Sequence, residues 1–253
     1  MTDHGRYGDD RTFALPDGWA PLRDEVLATA TDQTLAAVTG TKAVESLVRY
    51  YDRNGSYAGT LFLDAQPNDP NAVEASDLYA VTTLSIKLDA RQGRLLLDEG
   101  DVREQVKRHL RNLDPCLPIT DLTHGEGGSA ETLARMYELH GQFRSLLAGA
   151  SNRWVTAAKL CARKRPRLFP VRDNLVCEYL GAGRSLKSGD GWPGDFSIDI
   201  QVYGHLMTNP KIVAALSWLR EELTATYGLR VDVEDLRLLD SALWMAARRH
   251  LRS

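Results

Sequence analysis

Residues 153–176 read RWVTAAKLCARKRPRLFPVRDNLV, and this stretch shows how the chain alternates helices with short links. Val155 to Ala162 is predicted to be a short helix, which ends before Pro166 because a helix interior does not tolerate proline. Leu168 to Arg172 is predicted to be an extended link. Asp173 then stands at the start of the next apolar helix, where aspartate is a favoured N-cap residue. The stretch therefore predicts two helices joined by a basic turn and an extended segment.

Apolar residues recur at helical spacing on both sides of this stretch. The other predicted helices are Asp24–Val38, Thr41–Tyr51, Ser76 or Asp77 to Leu88, Asp101–Leu113, Ser129–Ala148, one carrying Ile212 to Leu223 and one carrying Leu236 to Ala246. Asn54-Gly55 signals a turn, so Tyr57–Leu63 is predicted to be a short strand or the start of an extended segment. The predicted fold class is all-α or nearly all-α, with at most a short N-terminal hairpin.

The domain organisation follows from length and composition. The chain has 253 residues, 43% of them hydrophobic, which is enough to bury a substantial core. Residues 1–17 are polar and mixed in charge, and are predicted to be a loose N-terminal arm. Residues 18–253 are predicted to form a single helical domain, or two intimate lobes with a cleft near residues 150–180.

Charge and cysteine usage exclude several classes of protein. The net charge of -3 gives no general attraction for nucleic acid or an anionic membrane, so any such affinity must come from a local patch. No apolar run approaches the roughly 18–20 residues that span a bilayer. Cys116, Cys161 and Cys177 are odd in number and scattered, which argues against a disulfide framework or a zinc site. We therefore expect a cytoplasmic protein with no membrane partner, no metal and no cofactor.

The densest positive patch lies inside the opening stretch. It consists of six basic residues, Lys159, Arg163, Lys164, Arg165, Arg167 and Arg172. One interpretation is a set of phosphate contacts, which would make nucleic-acid binding depend on salt. The other is a solvated turn whose charges pair with some of the 34 acidic residues. Both interpretations place the run at the surface.

The order of helix, basic turn, extended link and carboxylate resembles the core of the helix-hairpin-helix DNA glycosylases, especially the monofunctional alkylbase branch. Trp154, Thr156 and Ala157 are similar to the second helix of that hairpin, and Asp173 falls where the family has its catalytic aspartate. The resemblance implies a glycosylase-like helical fold. Val155 stands where bifunctional members carry a nucleophilic lysine, so Schiff-base chemistry is not expected there. Ser151 and Arg153 lie near the positions of the glycines that approach DNA phosphate in that family.

The chain as a whole also resembles an uncharacterised bacterial family that carries a domain of unknown function. The shared features are the segment from Ala158 to Arg167, the region of Asp173, and Leu236 to Met245. This resemblance implies no activity.

Cleavage of an N-glycosidic bond explains why an aspartate would be needed. The reaction develops positive charge on the sugar, and a fixed carboxylate stabilises that charge and orients the attacking water. Asp173 is the candidate for this role, and also for the simpler role of helix cap; the two roles are compatible.

A base that is taken out of a stack is held between aromatic faces, so aromatic residues are pocket candidates. Trp154 and Trp244, together with Asp240, are predicted to line the substrate pocket, and further aromatic candidates are Trp192, Trp218 and Tyr203. Asp240 is flanked by Leu239 and Leu243 on a helix that looks buried. It either pairs with an arginine such as Arg172 or Arg237, or acts as a second carboxylate beside Asp173.

The sequence therefore predicts an N-glycosylase-like protein that acts on a base in nucleic acid, or on a nucleoside or nucleotide. If it is catalytic, it is a monofunctional hydrolase. The alternative is a non-catalytic protein that binds nucleic acid or another protein on the same scaffold, because a fold does not fix a function.

Overall fold

The chain folds as a nearly all-α protein, and the predicted fold class is confirmed at that level. The computed structural model describes residues 2–147, 153–183, 186 and 196–251. Within them the elements are β1 (His4–Arg6), β2 (Thr12–Ala14), α1 (Asp24–Val38), α2 (Thr41–Tyr51), α3 (Ala75–Thr83), α4 (Ala90–Leu97), α5 (Asp101–Arg111), α6 (Gly128–Leu146), α7 (Arg153–Lys164), α8 (Asn174–Leu180), α9 (Phe196–Thr208), α10 (Pro210–Glu221) and α11 (Asp235–His250). Short helical turns occur at Ala58–Leu61, Leu122–His124 and Glu222–Thr226.

The N-terminal residues form a hairpin rather than the loose arm that we expected. β1 and β2 pair antiparallel, with Gly5 opposite Phe13. Tyr7 and Phe13 are buried and their ring centroids lie 4.7 Å apart. Gly8 N–H donates a hydrogen bond to Thr208 Oγ1 at 2.7 Å. Residues 1–17 are polar on average, which is why a loose arm was expected. The two buried aromatic rings nevertheless provide the apolar contacts that stabilise the hairpin.

The residues after Tyr57 differ from the expectation of a strand. Ala58–Leu61 is a 3₁₀ turn, and within the described residues the sheet consists of β1 and β2 alone. The helix predicted to run to Leu88 stops at Thr83, and a separate helix, α4, follows. Asp89 and Gln92 form a capping box at its start, with bonds of 2.8 and 3.0 Å between side chain and backbone. This D-x-x-Q pattern is visible in the sequence and marks a helix N-terminus.

The chain divides into two compact units. Unit 1 comprises residues 1–57 and 172–253, and unit 2 comprises residues 58–171. In unit 1, α11 packs against α1, α2 and α8, and α1 also packs against α9 and α10. In unit 2, α6 packs against α5 and α7, and α3 packs against α7. The cleft predicted near residues 150–180 stays a prediction.

Candidate functional site

Asp173 occupies the N-cap position of α8, where the sequence places it. Its backbone is extended, with φ -145° and ψ 144°, and its Oδ1 accepts a hydrogen bond from Leu175 N–H at 3.0 Å. The side chain is partly exposed. A carboxylate at this position satisfies a helix N–H and interacts favourably with the helix dipole. The capping role of Asp173 is therefore clear, and a second role toward a substrate is compatible with it.

Arg172, which was predicted to bind phosphate, forms a buried ion pair with Asp199 of α9. Cys177 of α8 lies beside this pair, with its Sγ 3.9 Å from Asp199 Oδ1. Burial, and then the negative charge of Asp199, raise the pKa of the Cys177 thiol well above its usual value. Cys177 therefore stays protonated near neutral pH and is not a thiolate nucleophile.

A line of polar and aromatic side chains follows one face of α11. Its members, Arg237, Asp240, Trp244 and Arg248, are spaced three or four residues apart, and we call them the α11 stripe. Asp240 Oδ2 lies 2.7 Å from Arg237 Nη2, and both side chains are buried. Trp244 and Arg248 are partly exposed. The stripe therefore runs from a buried ion pair to a partly exposed aromatic end, and Asp240 has one of the two arginine partners that the sequence suggested.

Trp244 lies in an aromatic cluster at the exposed end of the stripe. Its ring meets Tyr57 edge-on at 5.6 Å and Tyr50 at 6.2 Å between centroids. The Arg248 guanidinium lies 4.7 Å from the Trp244 ring centroid and 5.5 Å from that of Tyr57. Such contacts are cation–π interactions. The predicted pocket residue Trp244 is thus held in place by neighbours of its own unit.

Tyr203 of α9 lies near the buried end of the stripe and is 2% exposed. Burial raises the pKa of its phenol well above the usual value, and the nearby Asp240, Cys177 and Asp199 raise it further. Within residues 2–147, 153–183, 186 and 196–251, the Tyr203 hydroxyl has no hydrogen-bond partner. Tyr203 therefore brings an unbonded polar atom close to both buried ion pairs of unit 1.

The basic run is largely inside unit 2. Arg163 Nε lies 2.9 Å from Asp77 Oδ1, and Arg163 also donates to the carbonyl oxygens of Phe62, at 2.7 Å, and Ala65. Lys164 Nζ pairs with the same aspartate and donates to Asn68 Oδ1 at 3.0 Å. Arg163, Lys164 and Asp77 are all buried. Phosphate binding by either cation would first require these bonds to break.

Arg165 also donates its hydrogen bonds to groups inside unit 2. It donates to the carbonyl oxygens of Leu113, at 2.8 Å, of Pro70, at 2.6 Å, and of Leu110. Burial lowers the pKa of Arg165 to about 10, so the group remains charged at neutral pH. Lys159 is also buried and donates to Leu84 O at 2.9 Å. Of the predicted phosphate-binding residues, Arg167 is exposed. Both sequence interpretations placed the run at the surface, and the burial of most of its members corrects that expectation.

Trp154, the other predicted pocket residue, is buried in α7 of unit 2. Its carbonyl oxygen lies 3.2 Å from Nε2 of His140 in α6. Trp218 is 45% exposed on α10. Ser151 and Trp192 lie outside the described residues.

The structure brings some of the predicted residues together and separates others by unit. Unit 1 contains Arg172, Asp173, Asp240 and Trp244, and unit 2 contains Trp154, Lys159, Arg163, Lys164, Arg165 and Arg167. Sequence reasoning missed Asp199, although the pattern Ile198-Asp199-Ile200 isolates a carboxylate among apolar residues, as at Asp240. It also missed Asp77 as an ion-pair partner, for which the sequence offers no local signal.

Two further observations concern the described residues. No group of three or more His, Cys, Asp or Glu side chains in that part of the chain is arranged to hold a metal ion. None of the helices there has the length and apolar character needed to cross a membrane.

Comparison with known proteins gives one match. No curated protein and no solved structure matches the chain. A family model described as a family of unknown function, DUF6308, matches residues 43–247. That range includes the segments around Ala158 to Arg167, Asp173 and Leu236 to Met245 on which the family resemblance was based. The chain belongs to this family of unknown function, DUF6308.

Proposed function

We propose that the protein is a monofunctional N-glycosidase that hydrolyses the bond between a nucleobase and its sugar. The observation that carries the proposal is the position of Asp173, a partly exposed carboxylate fixed at the start of α8 after an extended link. The order of α7, link and α8 is the one on which the sequence resemblance to the helix-hairpin-helix glycosylases was based.

In the proposed reaction, the bond between the anomeric carbon and the base nitrogen breaks, and that nitrogen keeps the electron pair. The Asp173 carboxylate stabilises the positive charge that develops on the sugar. A water molecule oriented by the same carboxylate adds its oxygen to the anomeric carbon, and the proton released reaches the departing base through solvent. Val155 provides no amine, so the proposal includes no covalent Schiff-base intermediate.

A nucleoside or nucleotide is the preferred substrate class, ahead of duplex nucleic acid. The donors of Arg163, Lys164 and Arg165 bind groups within unit 2, and the net charge of the chain is -3. Duplex binding depends chiefly on cations that are available to phosphates. A small substrate needs no such surface.

The test is release of free base by the purified protein. The substrates are the common ribo- and deoxyribonucleosides, their 5′-monophosphates, and single-stranded oligonucleotides containing alkylated bases, with free base measured by liquid chromatography. Wild-type protein is expected to release base from at least one class, and Asp173→Asn is expected to release almost none. Asparagine caps helices about as well as aspartate, so the loss would report the missing charge rather than a lost cap.

Asp89→Asn is the matched control. Asp89 is also a capping aspartate, at the start of α4 in unit 2, and its substitution is expected to leave base release unchanged. Equal release by Asp173→Asn and wild type would remove the catalytic role. Absence of release from every substrate would favour the alternative, a non-catalytic binding protein.

A further inference from the structure

The buried end of the α11 stripe has the composition of a ligand-contact site. Arg172 and Arg237 are balanced by Asp199 and Asp240, so these four buried side chains carry no net charge. Tyr203 lies near both pairs. Such a set offers both donors and acceptors to a neutral polar group, and no uncompensated cation to a phosphate.

The Tyr203 hydroxyl is the independent sign of a ligand. Buried polar groups are nearly always hydrogen-bonded, because leaving one unbonded costs free energy. Tyr51, also buried in unit 1, follows this rule: its hydroxyl donates to Asp232 Oδ2 at 2.8 Å and lies 3.5 Å from Ser241 Oγ. Tyr203 departs from it within the described residues. A phenylalanine would fill the same space for the fold, so the hydroxyl points to a contact with something other than the described protein.

We propose that Tyr203 and Asp240 bind hydroxyl groups of the sugar of a nucleoside, at the inner end of the site assigned to Asp173 in the proposed function, on which this inference rests. The Asp240 carboxylate accepts a hydrogen bond from one sugar hydroxyl, and its ion pair with Arg237 holds that carboxylate in place. The Tyr203 phenol donates to, or accepts from, a second hydroxyl.

The α11 stripe defines the orientation of the bound nucleoside along the helix. Trp244 follows Asp240 by four residues, a rise of about 6 Å along the helix, and is partly exposed in its aromatic cluster. A nucleoside covers such a span, with its base at the aromatic end and its sugar at the buried end. Tyr203, in turn, has Cys177 of α8 among its neighbours, and α8 is the helix that Asp173 caps.

The experiment measures binding without turnover, in protein that carries Asp173→Asn. Calorimetric titration compares adenosine, guanosine, cytidine and uridine with their 2′,3′-dideoxy forms. At least one ribonucleoside is expected to bind about tenfold or more tightly than its dideoxy form, which lacks both hydroxyls and therefore loses the contacts to Asp240 and to Tyr203. Adding Tyr203→Phe is expected to reduce that difference about threefold or more, because one of the two hydroxyl contacts is gone while the contact to Asp240 remains.

Tyr51→Phe in the same background is the matched control and is expected to keep the tenfold difference, since Tyr51 bonds within the protein. Melting temperatures of both double variants verify that they are folded. The inference is overturned if no ribonucleoside binds, or if Tyr203→Phe leaves the ratio of the two affinities unchanged. If binding depends on the hydroxyls but the wild type releases no base, the proposed function is contradicted and the inference is not. If the wild type releases base but nucleoside binding does not depend on the sugar hydroxyls, the inference is contradicted and the proposed function is not.

Discussion

At the scale of single residues, the polar groups inside unit 1 are the most informative feature of the molecule. Tyr51 and Tyr203 are both buried phenols, yet only one of them has a hydrogen-bond partner within the described residues. The two residues therefore form an internal comparison. Substitution by phenylalanine removes the same atom from each and should have opposite effects on stability.

Tyr203→Phe is predicted to raise the free energy of unfolding of the ligand-free protein by about 1 kcal/mol, because it removes a buried hydroxyl that makes no bond. Tyr51→Phe is predicted to lower it by about 1–3 kcal/mol, since Asp232 and Ser241 lose a partner. Urea denaturation followed by circular dichroism measures both. A marked loss of stability in Tyr203→Phe would show that its hydroxyl is bonded in the folded protein.

The same residue gives a prediction about pH. The pKa of Tyr203 is raised above its ordinary value of 10.0, chiefly by burial. Above pH 10 the unfolded chain releases this proton while the folded chain keeps it, so the free energy of unfolding of the wild type falls as pH rises. The stability advantage of Tyr203→Phe over wild type is therefore predicted to grow by about 1.4 kcal/mol per pH unit above that value. Urea denaturation at a series of pH values tests this, and a constant difference would contradict it.

At the scale of elements, α7 and α8 show what local sequence signals determine. Both helices lie where the sequence predicts them, and Asp173 caps α8, because helical spacing and capping depend on neighbouring residues. The burial of the basic run could not be predicted in the same way. Arg163 and its counterion Asp77 are 86 positions apart, and no local pattern reports a contact at that separation.

The N-terminal hairpin and the Tyr57 region also show that local sequence patterns do not report contacts between distant residues. The Tyr7 and Phe13 rings pack against each other, and the Gly8 N–H donates to Thr208 Oγ1 of α9, so the hairpin depends on contacts with a distant part of the chain. Asn54-Gly55 is a genuine turn signal, but a hairpin also requires a partner strand, and the structure places a 3₁₀ turn there instead. Within the candidate site, the sequence singled out Asp173, Asp240 and Trp244 as candidates, and their roles stay predictions. It missed Asp199, although that residue is also isolated among apolar neighbours, and its ion pair with Arg172 is seen in the structure.

Asp77 provides a prediction for the packing of α3 against α7. Asp77→Asn removes the carboxylate charge beside Arg163 and Lys164, all three being buried. Breaking a buried ion pair typically costs about 3–5 kcal/mol, and we expect a loss of that order in the free energy of unfolding. Asp89→Asn, at the exposed cap of α4, is the control and is expected to change stability by less than about 0.5 kcal/mol. Equal stability of the two variants would mean that the basic run does not depend on Asp77.

At the scale of the whole molecule, unit 1 is built from both ends of the chain, and unit 2 is the continuous segment between them. The family match, over residues 43–247, includes all of unit 2 and much of unit 1. The two kinds of residue that the sequence singled out fall in different units. Most of the basic run stabilises the interior of unit 2, while the carboxylates and the α11 stripe belong to unit 1. The proposed chemistry therefore depends on unit 1.

The most direct test is the initial rate of base release from the best nucleoside or nucleotide, measured for wild type and Asp173→Asn at equal protein concentration and about pH 7. A carboxylate that stabilises the developing charge contributes about 100-fold or more, so the variant is predicted to be slower by at least that factor while its melting temperature is unchanged. Equal rates for the two proteins would show that Asp173 does no more than cap its helix.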